Sequence, residues 1–277
     1  MKIAFGCNHC SECCHGSISI TLDEVMSNYA QYFPIGLSVT FLDVRNAVDP
    51  IFSGGKCYKR QKKYLMDNYS FAFKGLGGRK LLAFPEVATL IGSNQACPNL
   101  LDGRCGIYDD RPSVCRLYPY QSHINKDDVG LGLVVERSSY LNGDVGSCQG
   151  FDSDVIFFTG EMPAQIANTH ISRTRQAKLG LSIYKKVILD RLRNSGELMS
   201  RVEQATTLDC PTGERFHFSL TELSSHVQLP REVVESNALQ LKRVVANSYV
   251  SMSEPKRALF KSHYLEHKGW LGKNGKK

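Results

Sequence analysis

The sequence predicts an α+β fold in two parts. A small β-containing domain with large cysteine-bearing loops covers residues 1–152, and a mostly helical domain covers residues 153–277. Three observations predict this. In the first half apolar residues alternate, at Tyr69, Phe71 and Phe73 and again at Val129, Leu131, Leu133 and Val135, which is strand periodicity. In the second half the spacing changes to three and four, through Ile166, His170, Ile183, Val187, Ile188 and Leu192. Most of the 10 cysteines fall in short segments rich in Gly, Pro and polar residues, which read as loops.

The chain has 277 residues, enough to bury a sizeable core in one large domain or two smaller ones. Its 42% hydrophobic and 22% charged content matches an ordinary soluble globular protein, and no stretch has the length of a membrane span. Met1 to Gly6 is too short for the apolar region of a secretory signal before the first cysteine. The expected compartment is therefore the cytoplasm. There, clustered cysteines favour metal or redox roles over structural disulfides. Charge is uneven. Residues 1–150 hold 15 Lys and Arg against 14 Asp and Glu, and residues 151–277 hold 19 against 13. The basic half reads as a solvated helical surface with a Lys273–Lys277 tail, and an acidic partner such as nucleic acid is the other reading.

Taken in order, Cys7 to Gly16 reads as a loop. Thr21-Leu22-Asp23-Glu24 fits a capping box and predicts a helix over 22–32, ending near Pro34. Residues 35–60 are mixed. Asn68 to Phe84 predicts a hairpin, with its turn at Lys74-Gly75-Leu76-Gly77-Gly78. Residues 97–120 are loop-rich, and Val129 to Val135 reads as a half-buried strand. Residues 163–195 predict helix, which Gly180 can divide in two at a cost of about 1 kcal/mol relative to Ala. Further helices are expected over 220–228, 231–249 and 254–268, the last with Ser253 as N-cap and Pro255 in its first turn.

The chemistry lies in the cysteines. Cys7, Cys10 and Cys13 repeat a C-x-x-C spacing, which lets sulfurs converge on one ion, and Cys14 follows at once. The run C-x2-C-x2-C also opens bacterial ferredoxin motifs, although here the fourth cysteine comes immediately instead of after three residues. Neighbours such as Cys13 and Cys14 diverge, so one can ligate while the other serves a second site or packs as a small hydrophobe. Three or four thiolates from one loop rarely close a tetrahedral site. The remaining ligands are therefore sought in Cys97, Cys105, Cys115 and Cys148. Cys57 and Cys210 lie outside these groups and read as buried or incidental thiols. His9 and His15 read as polar loop residues bonding a thiolate, with metal ligation as the alternative. Arg111 and Arg116 bracket Cys115, where a guanidinium can offset thiolate charge or pair with Asp109 or Asp110.

CNHCSECCHG, then CPNLLDGRCGIYDDRPSVCRLYPY, then CQGF, resembles the YkgJ-type cysteine-cluster family over about residues 5–152. The resemblance implies a domain that chelates zinc or iron. It also implies that Cys7, Cys10, Cys13, Cys14, Cys97, Cys105, Cys115 and Cys148 form the metal set. The family is in turn similar to the N-terminal part of flagellin lysine N-methylases, which carry a related motif. That likeness suggests an alternative, an enzyme modifying a protein side chain. Spacing does not separate zinc from iron. Eight thiols divide into two closed zinc sites, while the ferredoxin-like opening and the surplus of thiols favour iron, as an ion or an iron–sulfur cluster. The chain has no dinucleotide fingerprint, phosphate-binding loop or His-Glu-x-x-His.

Ser219 to Val234 also resembles a helix-turn-helix, with a turn at Gln228-Leu229 and a second helix carrying Ser236 and Asn237. This suggests a metal- or redox-responsive DNA-binding regulator. The plainer reading is a helical corner, because Gln228 replaces the usual glycine and no basic cluster flanks the second helix. The expectation is thus a metal-binding protein whose helical part serves a protein partner or substrate, and whose contacts with nucleic acid are not sequence-specific.

Overall fold

The computed structural model describes residues 14, 16–44, 66–91, 95–117, 135–136, 157–158, 164–206, 214–246 and 252–274. In chain order the elements begin with β1 (Ser19–Ile20), α1 (Leu22–Met26), β2 (Ile35–Asp43), β3 (Phe71–Lys74) and β4 (Lys80–Thr89). β5 (Leu100–Leu101), β6 (Arg104–Cys105), α2 (Ser113–Leu117), β7 (Val135–Glu136) and β8 (Phe157–Phe158) follow. The rest are α3 (Ala164–Asn194), α4 (Gly196–Ala205), β9 (Glu214–Ser219), α5 (Arg231–Ala246) and α6 (Glu254–Asn274). An antiparallel sheet with a mostly helical C-terminal region makes the fold α+β, as the sequence predicts.

The chain forms two compact units. One holds residues 1–18 and 91–175, the other 19–90 and 176–277. Each unit is drawn from two stretches of chain, and in the second β9 carries residues 214–219 into a sheet built otherwise from strands of the first half. We call the two the cysteine unit and the sheet unit.

In the sheet unit, β4 pairs along its length with β2, and β2 pairs on its other side with β9. The far side of β4 is shared by β1 near one end and β3 near the other. The β3–β4 hairpin turns through Gly77 and Gly78, both in the left-handed region at φ 68° and 79°, so the predicted hairpin forms and its return strand extends to Thr89. Every β2 residue except Thr40 is buried, so the strand shows no in–out alternation. Phe41, toward its C-terminal end, stands edge-to-face with Phe73 at 5.7 Å and Phe216 at 5.4 Å. Arg79 ties the hairpin to the end of β2 by an ion pair to Asp43 at 3.2 Å and to α4 by one to Glu203 at 3.1 Å.

The capping box at α1 forms as the sequence predicts. Thr21 N–H and Oγ1 each donate to Glu24 Oε2 at 2.8 Å. The helix is shorter than the expected 22–32, because Asn28 adopts left-handed backbone at φ 61° and only a 3-10 turn, Tyr29–Gln31, follows. α3 is continuous through Gly180. An added Cβ there would come within 2.9 Å of the Tyr184 ring, so glycine gives Tyr184 its place instead of breaking the helix.

The helix-turn-helix reading is not borne out as a DNA-reading unit. Its first helix is a six-residue 3-10 helix, Leu220–Ser225. Its second, α5, buries Val233, Val234, Asn237, Ala238 and Leu241. Asn237, 0% exposed, extends the sheet where β9 stops. The β2–β9 ladder ends at Gly36 and Ser219. The Asn237 carboxamide takes the next residue, accepting from Ile35 N–H at 2.9 Å and donating to Ile35 C=O at 2.8 Å. Its second amide hydrogen points to His267 Nε2 at 2.9 Å. His267 Nδ1 lies 2.7 Å from the His263 carbonyl, so the network assigns the proton to Nδ1. His217, on β9, bonds Ser38 Oγ at 2.8 Å. All three histidines are held toward the neutral form. His263 is pushed down to about 4 by burial, with His267 and His217 adding to it. His217 is pushed down to about 4 by burial, with Arg215 and Lys256 adding.

Candidate metal centre

Of the eight cysteines expected to ligate, Cys14, Cys97, Cys105 and Cys115 lie among the described residues, all in the cysteine unit. Cys7, Cys10, Cys13 and Cys148 lie outside them, as do His9, His15, Cys57 and Cys210. The four described cysteines are half-buried thiols and not disulfide partners.

Local sequence builds the site from two successive tight turns. Leu100 N–H bonds the Cys97 carbonyl at 3.0 Å, closing a turn with Pro98 at its second position, where a fixed φ suits it. The β5–β6 hairpin follows at once, with Leu100 opposite Cys105. Asp102 and Gly103 have φ 48° and 76°, the two positive values that a two-residue primed turn requires. Gly106 N–H then bonds the Asn99 carbonyl at 2.8 Å. The double turn brings Cys105 back to Cys97. Burial pushes the Cys97 thiol up, and the charge on Cys105 adds to the rise, while hydrogen bonds from the Asn99 backbone and side chain oppose it.

The N-terminal run reaches this hairpin through backbone. Cys97 N–H bonds the Cys14 carbonyl at 2.7 Å, and Gly16 N–H bonds the Gln95 carbonyl at 3.0 Å. This is an antiparallel bridge between two segments about eighty residues apart in sequence. Cys115 sits on α2, its N–H bonded to the Pro112 carbonyl at 2.9 Å. Among the described residues no three His, Cys, Asp or Glu side chains converge as a metal-binding group. The donors that are described fit zinc or iron in chemistry. They are soft thiols, and two of them repel when ionised, a repulsion that a cation relieves.

The two arginines named from sequence take different places. Arg111 stacks its guanidinium 3.7 Å from the centre of the Tyr108 ring, and its Nε donates to the Tyr108 carbonyl at 2.9 Å. Arg116 is exposed. A third, Arg173 on α3, was not anticipated. It is 4% exposed and its Nη1 donates to Ser113 Oγ at 2.8 Å. Its signal in the sequence was its spacing. It falls three residues after His170, on the helix face that the apolar pattern marks as buried.

Among the described residues no helix is long and apolar enough to cross a membrane. No curated protein and no solved structure matches the chain. A family model does. Residues 6–131, a little under half of the chain, match CxxCxxCC, described as a "Putative zinc- or iron-chelating domain". The match begins just before Cys7 and takes in the Cys97–Cys105 hairpin and Cys115. Over residues 6–131 the chain is therefore similar to the CxxCxxCC cysteine-cluster domains.

Proposed function

We propose that this protein binds zinc or iron on its cysteine cluster, with Cys7, Cys10, Cys13, Cys14, Cys97, Cys105, Cys115 and Cys148 as the ligand set. The observation that carries the reading is the backbone bridge from Cys14 to Cys97, which draws the end of the N-terminal cysteine run to the Cys97–Cys105 double turn. The family match supports the same chemistry. Within this set the Asn99 donors orient the Cys97 sulfur and favour its ionised form, the form that ligates. Pro98, Asp102 and Gly103 fix the turns that present Cys97 and Cys105. A bound ion would supply the link that holds loops with little apolar surface, and iron would add redox chemistry.

Between the two metals the reading takes iron, on the ferredoxin-like opening and the surplus of thiols. The helical remainder is then the part that meets a protein partner or substrate in the cytoplasm. Full-length protein purified without oxygen should retain metal by elemental analysis. A cysteine-held cluster would make it brown, with broad absorption near ~400 nm. A colourless sample containing only zinc would decide for zinc. A sample that neither retains nor takes up either metal would overturn the reading.

A further inference from the structure

We propose that Arg173 supplies the fixed positive charge of the cysteine centre, the positioning role that the sequence assigns to Arg111 and Arg116. The inference rests on the metal-binding reading above and extends it to a residue outside the matched segment 6–131.

The geometry ties this side chain to the ligand-bearing helix. Arg173 Nη1 donates to Ser113 Oγ at 2.8 Å. Ser113 opens α2, two residues before Cys115. His170, one turn earlier on α3, is buried as well, so this face of the helix points inward. A site of several thiolates gathers more negative charge than one divalent ion cancels. A cation offsets the excess best where water is excluded, because the interaction grows as the local dielectric falls. Arginine suits such a place, since its guanidinium stays charged when buried. The other two candidates lack this advantage. Arg116 faces solvent, where salt and water screen it, and Arg111 commits its Nε and its face to Tyr108.

The test uses the full-length protein with zinc as the probe. Affinity is read by competition with a chromophoric chelator, and the pH of half-release by titration. Arg173→Gln keeps a donor for Ser113 and removes the charge. It should weaken zinc about tenfold or more, as loss of an outer partner does. Its half-release should move to higher pH, because protons then compete better for the thiolates. Arg173→Lys keeps the charge and should stay closer to wild type in both readings. Arg111→Gln and Arg116→Gln should change affinity by no more than about twofold, as expected for screened charges. Wild-type affinity and release pH in a folded Arg173→Gln protein would overturn the inference and leave the metal reading standing. Should that variant fail to fold, Arg173→Lys decides, since a tenfold loss despite the retained charge would overturn the role. A wild-type protein that binds neither zinc nor iron would overturn both.

Discussion

The sheet unit and the cysteine unit are organised by different forces. Among the described residues, nearly every fully buried apolar side chain lies in the sheet unit, including Phe33, Leu37, Phe41, Leu81, Ile188 and Phe260. In the cysteine unit the buried apolar side chains among the described residues are Pro112 and Leu117, and the other buried side chains are polar, Ser113, His170 and Arg173. The sheet unit can order itself by removing apolar surface from water. The described part of the cysteine unit relies on tight turns, one backbone bridge and a two-residue hairpin, which are local devices. On the metal-binding reading proposed above, ligation takes the larger share of the work where apolar burial is small.

The sharpest way to break this contrast is a ligand substitution. Cys97→Ser or Cys115→Ser should remove most of the bound metal and loosen residues 95–117, read by elemental analysis and hydrogen exchange. The same variants should leave the protection of β2, β4 and β9 unchanged. Equal loosening of the two units would erase the distinction. The converse substitution is Phe41→Ala, which opens a cavity between Phe73 and Phe216. It should cost the sheet unit about 3–5 kcal/mol in denaturant unfolding, with metal content per folded molecule unaltered.

Acid should also act on the sheet unit. His263 has a folded value of about 4 against an ordinary 6.5, so the unfolded chain takes up its proton first as pH falls. Stability is full above about pH 6.5 and is lost between there and about pH 4, by roughly 3 kcal/mol for this residue. His217 acts in the same direction, and the neighbouring Arg215 and Lys256 reinforce it. Denaturant midpoints from pH 7 to pH 4.5 check this, and His263→Gln should flatten the slope. Smaller still is Asn237→Ala, which leaves the Ile35 N–H and C=O without their carboxamide partner. The expected cost is about 1–3 kcal/mol with metal binding intact.

These features differ in how openly the sequence shows them. The capping box at Thr21 and Glu24, the β3–β4 hairpin and the helices over 164–194, 231–246 and 254–274 were legible because each has a local signature. β2 was not, since a strand buried on both faces loses its alternation, and Ser38 and Thr40 made the segment look mixed. β9 hid for a related reason, because His217 and Ser219 read as polar but are taken up by Ser38 and by Thr221 and His267. The cysteine spacing marks the candidate thiols. The bridge that joins Cys14 to Cys97 and the burial of Arg173 are products of chain folding across eighty and sixty residues, with no local pattern to announce them.

The central question is whether metal organises the cysteine unit and spares the sheet unit. Hydrogen exchange on the metal-loaded full-length protein, before and after removal of the metal with a chelator under reducing conditions, measures both at once. The expected result is that amides of residues 95–117 lose protection while those of β2, β4, β9 and α5 keep theirs. Unchanged protection over 95–117 in the metal-free protein would contradict the account, because those turns would then hold without the ion.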